Sequence, residues 1–171
     1  MALAKELGLP ILLADETLTS IGALASIYSV AELYAALAVW HALKLVSSDG
    51  LLVTTGMSIE RRLSLVITVG PRDAITADDI EKLKGVKAEF GGDNGLAKQR
   101  NDMIHAVWAT NDPELAGEPQ PITFPRSGKA KVGTAVTPVT INETTLRIVN
   151  QVVILELMLK RWGALTRLEF D

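Results

Sequence analysis

The stretch KQRNDMIHAVWA, Lys98–Ala109, places an arginine, an asparagine and a histidine within six residues of one another. Arg100 is charged at every accessible pH, and its planar fork of donors matches the paired oxygens of a phosphate. His105 belongs to the one residue type whose ordinary pKa, about 6.5, lets it take or give a proton near neutrality. Asn101 can orient that imidazole or donate to a phosphate oxygen. The three together could hold an anion beside an acid–base group. Metal chemistry finds little support: the chain has no cysteine and only two histidines, His41 and His105, which stand far apart in sequence. No cofactor and no metal is expected.

These residues need an element to hold them. On a helix turning about 100° per residue, Leu96, Met103, Ile104 and Val107 share one apolar face. Arg100 falls in the middle of that face; Lys98, Asn101 and His105 lie at its edge, with Trp108 between. A guanidinium aimed into a core costs several kcal/mol, of order 3–5 if left alone, so it must be compensated. Glu32, the lone formal charge between Thr17 and Leu43, is the candidate partner.

The pattern around the motif predicts an all-α bundle of four to five helices. The first runs from about Glu16 to Val46, whole or broken near Gly22, and SSDG at Ser47–Gly50 ends it. Ser58 caps a second, through GMSIERRL to Gly70-Pro71, with Glu60–Arg62 read as a solvated first turn. Thr76 opens a third, with acids in its first turn. The motif helix follows a glycine break, Gly91, Gly92 and Gly95, and runs from about Asn94 to Thr110. A small β-hairpin insertion is expected at about 120–138, where β-branched residues flank a Gly-containing turn. TINE at Thr140–Glu143 fits a capping box, and the last helix reaches about Trp162. No repeat or linker divides residues 1–171, which read as a single domain.

The motif RNDMIH resembles that of the HEPN superfamily, R-x-x-x-x-H on a late helix of a small bundle, often with a polar residue after the arginine. Arg100, Asn101 and His105 match it position for position; Trp108 and GMSIERRL are also similar to bacterial HEPN-type proteins. The resemblance implies a HEPN-like bundle and a metal-independent endoribonuclease or RNA-binding protein, of the kind found in toxin–antitoxin and phage-defence systems, where an antitoxin protein is a partner. It implies Arg100, Asn101 and His105 as the catalytic set. Cleavage through the RNA's own 2′-OH needs a base, an acid for the departing 5′-oxygen, and a cation on the phosphorane. One motif supplies one histidine. A two-fold homodimer would bring both copies to one cleft.

Composition bears on partners. Net charge is −3 and the pI about 5.4, so RNA contact requires a local basic patch. Lys98, Trp108 and the PRSGKAK residues Arg126, Lys129 and Lys131 are its candidates, although a solvated hairpin tip explains the last three as well. The hydrophobic share of 48% and mean hydropathy of +0.25 point to surface hidden in a core or between subunits. The mid-helix Glu32 and the Ser and Thr residues around it argue against a membrane span, and the N-terminus does not read as a leader, so a cytoplasmic protein is expected. His41, Trp40 and Trp162 read as packing groups. The alternative function is a non-catalytic helical module that binds a nucleotide or another protein, with Arg100 and His105 structural.

Overall fold

Among the described residues six helices carry the fold: α1 (Asp15–Leu43), α2 (Ser47–Thr54), α3 (Ile59–Val69), α4 (Ala77–Phe90), α5 (Leu96–Ile104) and α6 (Pro138–Trp162). The computed structural model describes residues 15–104, 107–109, 120–123, 131–132 and 136–165, the three short strands among them by backbone alone. Those strands, β1 (Val107–Ala109), β2 (Gln120–Thr123) and β3 (Lys131–Val132), pair antiparallel in the order β1-β2-β3.

The first helix is continuous through Gly22 and forms the centre of the bundle, packing chiefly on α6 and α3. By length and composition it could cross a membrane, but in this fold eleven of its residues are buried, from Thr17 to Ala42. Its polar residues fit an apolar helix because they bond inward. Thr19, Ser26 and Ser29 each donate a hydroxyl to the carbonyl four residues back. The core joins Leu24, Ala35 and Val39 of α1 to Leu63, Leu83, Phe90, Leu96, Ile148 and Leu155 of the other helices.

Two boundaries differ from the sequence reading. The first helix does end near SSDG, but those residues open a helix of their own, α2, which raises the count to six. Gly50 is tolerated there because the Trp40 ring lies where its Cβ would be. Trp40 Nε1 then donates to Thr54 Oγ1 at 3.2 Å. The last helix starts at Pro138, with Thr137 as N-cap accepting from the Thr140 amide, ahead of the expected box at Thr140–Glu143. Proline at the first helical position needs no amide partner, which favours the earlier start.

Other caps follow the sequence. Ser58 accepts from the Arg61 amide to start α3. Thr76 and Asp79 form a reciprocal capping box on α4. Asp79 is fully buried, and its Oδ2 also accepts from Trp162 Nε1 at 3.0 Å, while its Oδ1 pairs with Arg161. One carboxylate therefore fastens the start of α4 to the end of α6. Trp162 is buried, as a packing group should be, and His41 stacks on it at 5.7 Å.

Glu60–Arg62 is not simply a solvated turn. Arg61 is exposed, but Arg62 is half-buried and donates to the carbonyls of Glu32 (2.7 Å) and Thr54 (3.0 Å). It ties α3 to α1 and to the end of α2, where the last carbonyls of a helix otherwise lack partners.

Candidate functional site

The candidate site is built on α5, and glycine sets where that helix begins. A Cβ at Gly95 would fall within contact distance of the carbonyl oxygens of Gly91 and Phe90, so only glycine allows the chain to turn back so tightly after α4. The turn is closed by the Gly95 amide donating to the Gly92 carbonyl at 3.1 Å. Gln99 then locks the helix in place: its Nε2 donates to the Asn94 carbonyl at 2.7 Å, and its Oε1 accepts from Thr144 of α6 at 3.3 Å.

The facing of α5 follows the wheel. Leu96 and Met103 are buried, Ile104 and Arg100 half-buried, Lys98 and Asn101 exposed. The helix is shorter than expected. Its described residues end at Ile104, and Val107 and Trp108, expected within a helix to about Thr110, lie in β1, opposite Ile122 and Pro121 of β2. β-branched and aromatic residues suit a strand, and pairing with a segment distant in sequence overrides the local helical pattern.

Arg100 reaches the face of Tyr28 on α1, its guanidinium carbon 4.8 Å from the ring centroid. One of its amino groups donates to Asn101 Oδ1 at 2.9 Å, which leaves the exposed carboxamide's NH₂ as a donor for something else. Tyr28 is backed edge-on by Phe90 of α4, centroids 6.0 Å apart. Its phenol pKa lies above the ordinary value, first because the hydroxyl is buried, then because Glu32 and Glu60 oppose its ionisation; Arg100 and Arg62 pull the other way. Two carboxylates and two guanidiniums thus act on the ionisation of one buried tyrosine.

Glu32 takes part in this group, but among the described residues no salt bridge joins it to Arg100. Its backbone carbonyl holds Arg62 while its carboxylate acts on Tyr28. Lys98 pairs along the helix with Asp102. A cavity of about 600 Å³ is lined by Glu60, Ile67, Lys84, Lys87, Ala88, Gly91 and Gly92. Glu60, whose charge also bears on Tyr28, is in its wall together with two lysines.

The structure therefore joins Arg100 to Asn101 and seats it on Tyr28, the residue on which the Glu32 charge also acts. His105, Arg126 and Lys129 lie outside the described residues, and Trp108 and Lys131 are described by backbone only. Sequence reasoning overlooked Tyr28 and Arg62. Tyr28 had a signal: it stands four residues before Glu32, on the same face of an otherwise apolar helix. Arg62 had none, since its partners are backbone carbonyls of two other helices. Compared with known protein families, curated proteins and solved structures, the chain matches none, and among the described residues the architecture is a helical bundle of six helices with three short strands.

Proposed function

We propose that this chain is a HEPN-like, metal-independent RNA-cleaving protein acting in the cytoplasm as a homodimer. The supporting observation is the placement of Arg100: on a helix, half-buried, seated on Tyr28 and beside an exposed Asn101, four residues before Ile104, which directly precedes His105 in the sequence. A cation so held is pre-oriented for a phosphate, and the cavity lined by Lys84 and Lys87 offers further cationic groups for an RNA strand.

In the reaction, a base takes the proton from the ribose 2′-OH as that oxygen attacks phosphorus. The bond from phosphorus to the 5′-oxygen breaks, and an acid protonates the leaving oxygen. The products are a 2′,3′-cyclic phosphate and a 5′-hydroxyl. Arg100 would hold the phosphorane, His105 would carry one proton, and the partner's copy of the motif would supply the other. An antitoxin protein would be the second partner. The hairpin insertion and Lys98, Trp108, Arg126, Lys129 and Lys131 would guide the strand.

Incubating the purified chain with structured and unstructured RNA in excess EDTA tests the reading. Fragments ending in 2′,3′-cyclic phosphate are the expected result; cleavage that requires added magnesium rejects the mechanism. One observation favours the non-catalytic module instead: an arginine packed on a buried tyrosine ring is also how a structural arginine sits. Intact RNA together with saturable nucleotide binding, lost in Arg100→Met, would establish that second reading.

A further inference from the structure

The outer face of α6 carries more apolar surface than a solvated helix needs. Val139 is 64% exposed, Leu146 61%, Val153 45% and Leu157 62%, while the opposite face supplies Ile141, Ile148, Leu155 and Leu159 to the core. The exposed side is ordered. Glu143, Leu146, Asn150, Val153, Leu157 and Lys160 are all exposed and are spaced alternately three and four residues apart, the seam of a coiled coil. Both faces of one 25-residue helix are thus patterned for packing.

The seam is also symmetric about its own middle. Leu146 and Leu157 stand equally far from the point between Gln151 and Val152; so do Asn150 and Val153, and so do Glu143 and Lys160. Laid antiparallel on a copy of itself, the helix sets Leu146 against Leu157, Asn150 against Val153, and the Glu143 carboxylate against the Lys160 ammonium, which within one chain pairs with Glu156, each contact made twice. A two-fold interface requires this reciprocity, each residue meeting a partner that meets it in return. A parallel pairing would oppose glutamate to glutamate and lysine to lysine.

From this we infer that α6 is a self-association face, which docks antiparallel on α6 of a second copy of this chain about an axis between Gln151 and Val152. The seam extends about 26 Å, and a helix-on-helix contact of that length falls at or below the low end of specific interfaces, so the dimer dissociates in the micromolar range. The inference rests on the surface of α6 and not on RNA cleavage, and would stand if the chain proved inactive.

The full chain has no cysteine, which makes the test clean. Leu146→Cys and Leu157→Cys variants, mixed and oxidised, should give a disulfide-linked dimer in high yield, while each variant alone should give little. Sedimentation supplies the second arm. Glu143→Lys alone should weaken the dimer about tenfold at low salt by opposing lysines in two layers, and adding Lys160→Glu should restore it to within about twofold. Cross-linking of each single-cysteine variant with itself would overturn the antiparallel assignment. A chain that sediments as a monomer at hundreds of micromolar would overturn the inference altogether.

Discussion

Arg100 and Tyr28 exchange more than a contact. The ring gives the guanidinium a flat, electron-rich seat, and the guanidinium in turn partly offsets the rise in the phenol's pKa that burial and the Glu32 and Glu60 carboxylates cause. Replacing Arg100 by Ala should therefore cost about 1–2 kcal/mol in urea unfolding, the range of a partly desolvated cation–π contact with its packed stem, not the 3–5 kcal/mol of order expected for breaking a fully buried ion pair. A loss in the higher range would mean that a carboxylate, not the ring, is its main partner. Tyr28 gives a pH signature. Its folded pKa is raised, so the folded state holds the proton more tightly than the unfolded chain does. That stability is fully present below the unfolded value of about 10 and is lost as pH rises through the folded pKa. Denaturation midpoints should fall with rising alkalinity beyond about pH 10, and Tyr28→Phe should flatten that limb; an equally steep limb in the variant would contradict the assigned burial. At this scale the sequence was legible in part. Spacing alone turned Arg100 inward and Lys98 and Asn101 outward. It could not choose the partner of Arg100, because Glu32 and Tyr28 lie one turn apart on the same helix and either could have met the guanidinium.

Helix starts were readable wherever a side chain makes them, as at Ser58 and Thr76, whose oxygens accept the orphaned amides of α3 and α4. The helix α2 was missed because Gly50 reads as a stop until the Trp40 ring, ten residues earlier, is known to cover it. The end of α5 was missed because it is set by strand pairing across a long connection, information that no local window contains. The glycine break before α5, by contrast, is decisive. Gly95→Ala should cost about 1–3 kcal/mol or more, since the added methyl meets backbone oxygens that cannot turn aside, and it should also displace α5. Thermal unfolding reads the first effect. Loss of the ring-current shifts that Tyr28 imposes on the Arg100 side chain reads the second. A variant unchanged in both would show that the turn is looser than its geometry.

At the scale of the whole molecule, the hydrophobic excess has two outlets. One is the core around α1, where a helix apolar nearly all round is covered by α3, α5 and α6. The other is the seam along α6, which remains open in a single chain and would take up part of the apolar surface of a protein with 48% hydrophobic residues. The helical bundle was legible from apolar periodicity and caps, and Arg100 and Asn101 lie on α5, whose described residues end at Ile104, ahead of His105. What that motif does rests on His105, the residue assigned the proton. The most direct measurement compares the intact chain with His105→Ala on the same RNA in EDTA, with circular dichroism and sedimentation showing that fold and assembly are unchanged. The account predicts cleavage by the intact chain and a loss of about 10²–10⁴-fold in the variant, the contribution of a positioned proton donor or acceptor. Undiminished cleavage by a folded His105→Ala protein would contradict it.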